Sequence, residues 1–309
     1  MTSEQRYWWR IALELKLRKC SGDAFQDFFS VMMGKVHGTD FVRVRAYGRR
    51  GDKGCDGYVQ SSGQVFQCYG ALNGDSGKVD YLIGKMEDDY QKAVVAIPSL
   101  MKEWHMVHNI VDGLPIEAVE KLDVIKKSDP ARHFGFIGIE GFEQRIFGLM
   151  ESDIEDLLGV VATAKDAQNV QATEIRELVA HIASSSDTVD FDSANIKPVP
   201  PNKLVFNKLP NHWRNFIAGG WPNAGVVKSY LDRHPDPLMG ERVAQIFRVR
   251  YQYLKAQNLN PGAIMSSLFE MVTGTGSVLP ERMVAAQALL SFLFESCDIF
   301  EDEPAKVAS

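Results

Sequence analysis

Apolar residues recur at helical spacing over residues 4–19, where Trp8, Ile11 and Leu15 share a face, and over residues 22–35, where Phe25, Phe28, Phe29 and Met32 form a stripe. Ser21 or Asp23 can cap the second helix, and Gly34 and Gly38 end it. Over residues 41–47 the period drops to two. Val42 and Val44 alternate with Arg43 and Arg45, which predicts a strand with one apolar and one cationic face. A glycine-rich turn and Ser61-Ser62-Gly63 lead into a second alternating run at residues 64–69. Helical spacing returns over 78–96, with Val79, Leu82, Ile83, Met86 and Tyr90 directed inward, and residues 104–111 are strand-like. Asp112-Gly113-Leu114-Pro115 turns the chain into a helix over 116–127. A strand at 133–139 and helices at 142–150, 154–164 and 174–183 follow. This order predicts an α/β domain with a mixed sheet and flanking helices.

Residues 184–202 are rich in serine, aspartate and proline and lack apolar periodicity, which predicts a linker. Beyond it, helical patterns at 209–219, 223–233, 238–257, 261–273 and 280–297 predict a smaller all-α domain. The expected division is therefore an α/β domain over 1–183, a linker over 184–202 and a helical domain over 203–300. A length of 309 residues with 45% hydrophobic residues suits two cores.

No apolar run approaches the roughly 18 residues of a membrane helix, and MTSEQRYWWR lacks the apolar core of a signal peptide. Cys20, Cys55, Cys68 and Cys297 are widely spaced without a C-x-x-C, which argues against a zinc knuckle or disulfide framework. These features predict a reduced, cytoplasmic protein with no membrane association. A net charge of −6 excludes nucleic-acid binding by bulk charge alone. Between Lys35 and Lys53, however, six cations face two anions. Arg43, Arg45, Arg49 and Arg50 form a candidate phosphate-gripping surface there, although the same pattern suits a solvated strand face.

Residues 48–70, GRRGDKGCDGYVQSSGQVFQCYG, concentrate the candidate chemistry. Asp52 and Asp56 each adjoin a glycine, and Arg49, Arg50 and Lys53 lie close by. A closed hairpin puts Asp56 and Gln67 on neighbouring strands near one end of a sheet, a place suited to a metal and a phosphate. The plainer alternatives are a turn role for Asp56, a sheet-edge role for Gln67 and simple packing for Tyr69. His105 and His108, an odd number apart on a strand, point to opposite faces and make no ligand pair. Thr273-Gly-Thr-Gly-Ser277 lacks the G-K-[ST] of a phosphate loop and reads as an interhelical turn.

A helix followed by three strands, with an acid opening one of them, resembles the PD-(D/E)XK restriction-endonuclease-like superfamily. F-Q-x-F-F (25–29), G-x-x-G-D-K-G-x-D-G-Y (48–58) and V-F-Q-C-Y-G (65–70) look like the nuclease-like domain of bacterial conflict proteins called ABC three-component systems. K-L-x-F-N-K-L (203–209) and H-P-D-P-x-x-G-E-R-V-A (234–244) are similar to the small helical domains attached to them.

The resemblance implies a restriction-endonuclease-like sheet and a metal-dependent DNA endonuclease acting in anti-phage or anti-plasmid defence, with Mg²⁺ or Mn²⁺ as cofactor. It assigns Asp56 as the metal-binding acid and Gln67 as the glutamine of a Q-x-K variant, with Asp52 as a candidate second ligand. Tyr69 stands where the lysine is expected. A tyrosine carries no positive charge, so Lys53, Lys78 or Lys85 would have to supply it. Gln26 occupies the first-helix acid position, with Asp27 and Glu14 as nearby substitutes. DNA is the implied partner of the nuclease-like domain, and residues 203–300 would recruit other defence-system proteins or build a homo-oligomer. The alternative is a degenerate nuclease-like module that binds nucleic acid or partner proteins without cutting. A small-molecule enzyme is a third reading, for which there is no cofactor fingerprint.

Overall fold

The computed structural model describes residues 1–45, 53–72, 79–170, 172–184, 203–274, 278–296 and 299–301. Its contacts group residues 12–159 into one compact unit and residues 1–11 with 160–309 into another.

In chain order the first unit contains part of α1 (Ser3–Lys19), then α2 (Gly22–His37), β1 (Phe41–Arg43), β2 (Gly57–Val59), β3 (Gln64–Tyr69) and α3 (Val79–Ala96). It continues with β4 (Glu103–His108), α4 (Ile116–Ser128), β5 (His133–Ile137), α5 (Ile139–Ile146) and α6 (Glu151–Leu158). The five strands form one mixed sheet in the order β1-β2-β3-β4-β5. β1, β2 and β3 run antiparallel, with Gly57 opposite Phe66. β4 runs parallel to β3 and β5 parallel to β4, as the α3 and α4 crossovers require.

Both faces of the sheet are covered, which explains why β3 is buried on nearly every position rather than on alternate ones. Val65, Tyr69, Trp104 and Met106 pack with Leu82, Met86 and Tyr90 of α3 and with Ala118 and Ile125 of α4. On the opposite face Phe66 meets Phe29 of α2 at 5.4 Å and the His105 ring at 5.5 Å, while Phe142 of α5 stacks on Phe28. Asn109 ties the end of β4 to the chain around it. Its Nδ2 donates to the carbonyls of Leu17, Cys20 and Ala71, and its Oδ1 accepts from Ala71 N–H.

β1 departs from the expected pattern. Val42 is exposed, while Phe41 and Arg43 face α2, where Phe41 packs edge-on against Phe29 and Arg43 pairs with Asp27. An edge strand with a helix on one face buries whatever lies beneath that helix, including an arginine whose charge is neutralised.

The second unit holds α7 (Ala164–Gln168), α8 (Ala172–Ser184), α9 (Lys203–Phe206), α10 (Asn211–Asp232), α11 (Met239–Ala256), α12 (Pro261–Thr273) and α13 (Pro280–Glu295), together with residues 1–11, which include the start of α1. α13 is its core, with eleven of sixteen residues buried, as a helix apolar on all sides should be. Trp8 packs edge-on against Phe216 at 5.4 Å and lies 6.3 Å from Phe269, so the first residues of the chain contribute to this core. Helix α8, placed by sequence with the α/β domain, packs against α10, α11, α12 and α13. The linker expected at 184–202 falls almost wholly on 185–202, outside the described residues.

The two helices expected at 209–219 and 223–233 are one continuous helix containing Pro222. Gly219 and Gly220 mark close packing here rather than a break. A Cβ on Gly220 would lie 2.2 Å from Ser291 Oγ, and one on Gly219 would lie 2.8 Å from Gln287 Nε2. Those side chains of α13 donate to the carbonyls of Ile217 and Phe216 at 2.9 and 2.8 Å, supporting α10 in the turn before its proline.

Candidate functional site

A cleft of about 240 Å³ opens at the end of β3, lined by Gly22, Asp23, Gln26, Asp56, Gln67, Cys68, Tyr69, Gly70, Tyr81 and Lys85. Close backbone approaches shape it. The N–H of Gly22 donates to Gly70 O at 3.0 Å, and a Cβ on Gly70 would lie 2.5 Å from Gly22 N. The start of α2 can therefore dock on the strand end only where a glycine stands. On the other side, Lys53 and Gly54 turn the chain with φ of 62° and 72°. A Cβ on Gly54 would lie 2.0 Å from Asp89 O, so this turn is pressed against α3.

That turn delivers Asp56 to the position just before β2, against the end of β3. Asp56 N–H donates to Phe66 O at 2.8 Å, and Val44 N–H donates to Asp56 O at 3.0 Å. The carboxylate is buried at 4% exposure. Its Oδ1 accepts from Gln26 Nε2 at 2.6 Å and its Oδ2 from Cys68 N–H at 2.7 Å. Gln67, also buried, carries an Oε1 that makes no hydrogen bond among the described residues. Tyr69 is buried with its ring 6.2 Å from Tyr81. Lys85 reaches the cleft from α3 and donates to Asp89 Oδ2 at 2.5 Å, while Lys92 donates to Asp89 Oδ1 at 3.0 Å.

Burial, reinforced by the nearby Asp56 charge, pushes the Cys68 thiol well above its ordinary pKa. It therefore stays protonated and offers no thiolate. Cys55 is buried as well, its Sγ donating to Gly57 O at 3.3 Å, and neither cysteine is in a disulfide.

The expected residues thus divide. Asp56, Gln67 and Tyr69 meet in the cleft, joined by Gln26 and by Lys85. Lys53 is exposed and does not line it. Asp27 is engaged by Arg43 and Arg45, and Glu14 is paired with Arg18 at 3.1 Å, so Gln26 is the α2 residue that reaches Asp56. Asp52, Arg49, Arg50 and Lys78 lie outside the described residues. His105 and His108 point to opposite faces of β4, one stacked on Phe66 and the other edge-on to Phe136. Tyr81 escaped the sequence reading, although its position one helical turn before Lys85 marks a shared face.

Among the described residues no three His, Cys, Asp or Glu side chains gather as a metal-binding set. The cleft instead offers one buried carboxylate and one unbonded amide oxygen. Hard oxygen donors of this kind fit Mg²⁺ or Mn²⁺, since Mg²⁺ is commonly held by one or two carboxylates with waters and substrate phosphates completing the shell.

Residues 173–301 match a family described as C-terminal domain 10 of the ABC-three component (ABC-3C) systems, which are defence-associated. The sheet and its cleft lie outside that match. Neither the curated proteins nor the solved structures contain a match to the chain. No helix among the described residues is long and apolar enough to cross a membrane.

Proposed function

We propose that this chain is a metal-dependent endodeoxyribonuclease of the PD-(D/E)XK type, working in a three-component defence assembly, with the α/β unit as its hydrolytic part and the helical unit as its partner-binding part. The observation that carries this reading is the convergence of Gln26, Asp56, Gln67, Tyr69 and Lys85 on one cleft, with Gln67 Oε1 buried and unbonded among the described residues. A buried acceptor without a donor costs about 1–3 kcal/mol, an expense suited to an atom reserved for a cation.

Asp56 and Gln67 would hold Mg²⁺ or Mn²⁺, with Asp52 a candidate third ligand. The ion, when bound, supplies Lewis-acid polarisation of a phosphate oxygen and a water of lowered pKa. Gln26 orients the Asp56 carboxylate through its 2.6 Å bond. Lys85, braced by Asp89, brings to the cleft the positive charge that Tyr69 lacks and can stabilise charge building on the scissile phosphate. The Tyr69 hydroxyl can donate to a phosphate oxygen or to the attacking water. Arg43 and Arg45 border the same end of α2, where Asp27 holds them until a phosphate competes.

A second reading, a nuclease-like module that binds without cutting, is favoured by Tyr69 at the expected lysine position and by Gln26 at the expected acid position. Incubating the purified chain with supercoiled plasmid and Mg²⁺ or Mn²⁺, alone and with proteins encoded beside it, separates the two. Nicking lost in Asp56→Ala and Lys85→Met supports the nuclease. Nicking that survives Asp56→Ala refutes the site. Metal-dependent thermal stabilisation and DNA binding without nicking, under every one of these conditions, favours the second reading.

A further inference from the structure

The helical unit carries a groove of about 820 Å³ between α8 and α10. Its α8 wall is the stripe Ala172, Arg176 and Ala180, residues one turn apart on a single face. Its α10 wall includes Gly225 and Val226 and rises to Arg233. Small side chains on both helices keep the floor open, and a Cβ added at Gly225 would meet nothing within 4 Å. Arg176 and Arg233 line the groove beside these small residues, and no carboxylate is among its described lining residues. Asp232 and Asp236, close to Arg233 in the chain, are engaged by Lys228 at 2.6 Å and by Arg242 at 3.0 Å.

The groove is shallow. Every lining residue is exposed or half-buried, so a small molecule seated there would remain wet, whereas ligand pockets bury most of their ligand. A peptide segment can cover the floor with apolar side chains and meet the arginines with carboxylates at its edges. All the lining residues except Ala172 also fall inside the segment that matches the ABC-3C C-terminal domain.

We infer that the α8–α10 groove is the docking site for a segment of a partner protein that carries apolar side chains flanked by aspartate or glutamate. The inference rests on the reading of the helical unit as a partner-binding part, and specifies its surface and its partner's chemistry. Gly225 and the two alanines supply the space, and Arg176 and Arg233 select the sign of the charge.

The test uses the full chain immobilised for biolayer interferometry, with the proteins encoded immediately beside it, purified individually, as probes. Gly225→Trp fills the groove, and the double substitution Arg176→Glu with Arg233→Glu reverses its charge. Arg250→Glu on α11, outside the groove, is the control, and thermal unfolding checks that each variant folds. The expected result is binding by one probe that weakens at least tenfold in both groove variants, falls with added salt and is unchanged in the control. Should Gly225→Trp fail to fold, the charge reversal alone decides. Equal binding by wild type and the folded groove variants overturns the groove while leaving the partner-binding reading intact. No binding by any probe overturns both. Stabilisation by a small anion such as ATP that the groove variants abolish, without protein binding, overturns the peptide assignment in favour of a small-molecule site. None of these outcomes bears on the Asp56 cleft, which the plasmid assay tests separately.

Discussion

Replacing Gln67 by methionine should stabilise the α/β unit while removing its response to metal. The two side chains are similar in length and volume, so the exchange leaves the packing of β3 nearly unchanged. Gln67 is only 2% exposed, and its Oε1 has no donor among the described residues. Burying that acceptor costs about 1–3 kcal/mol, and a thioether at the same place escapes most of the cost. After allowance for imperfect packing, a net gain of about 1–2 kcal/mol is expected. For a unit spanning residues 12–159, that corresponds to a rise in Tm of roughly 2–8 °C. Differential scanning calorimetry of wild type and Gln67→Met, each with EDTA and with millimolar Mg²⁺ or Mn²⁺, gives four comparisons. The variant should melt higher in EDTA, and the stabilisation by metal seen in wild type should shrink or vanish. Destabilisation by more than about 1 kcal/mol with an unchanged metal response would refute the reasoning, because it would mean that Gln67 is held by structural bonds and takes no part in metal binding.

Asp56→Ala strands two donors at once, the buried Cys68 N–H and Gln26 Nε2, and should cost about 2–4 kcal/mol in urea titrations. Recovery of that stability in Asp56→Ala combined with Gln26→Leu would measure the Gln26 share as a coupling. Gly54→Ala should cost about 2–4 kcal/mol, since φ is 72° and the new methyl meets the Asp89 carbonyl; a loss below about 1 kcal/mol would show that the turn can move off α3. Burial lowers the His108 pKa from 6.5 to about 4. A depressed folded-state pKa means that this stability is present above pH 6.5 and is lost as pH falls toward 4, by about 3 kcal/mol at most. Unfolding free energies measured from pH 7 to pH 4 should therefore fall less steeply in His108→Gln than in wild type, and equal slopes would argue against a buried neutral histidine.

The periodicities of 3.6 and 2 located α2, β3, α3, β4 and α4 to within a few residues, because an element covered on a known side must place its apolar residues there, whereas the three-residue β2 is too short to show a period and β1 and α6 stop short of the runs expected at 41–47 and 154–164. Sequence also paired Asp56 with Gln67, since a hairpin closed at Ser61-Ser62-Gly63 leaves few other registers. It could not decide which helix residue would answer Asp56. Gln26, Asp27 and Glu14 are near one another in the chain, and only the packing of α2 on the sheet sends Gln26 to the carboxylate while Asp27 turns to Arg43 and Arg45. Lys85 was one of three lysines, with Lys53 and Lys78, that the resemblance left as sources of the missing charge. The seating of α3, fixed by Gly54 against Asp89, brings it to the cleft with Tyr81. The glycines before Pro222 read locally as a helix break, yet α10 runs through them because α13 needs the close approach and its side chains satisfy the carbonyls there. Likewise Trp8 carries no mark of the core it joins, since partners more than two hundred residues away are invisible to any local pattern. What the sequence by itself determined was the order of elements and the chemistry carried on each strand. Which side chains converge, and which atom is left without a partner among the described residues, was decided by long-range packing, because burial and hydrogen bonding are properties of the assembled neighbourhood and not of the residue.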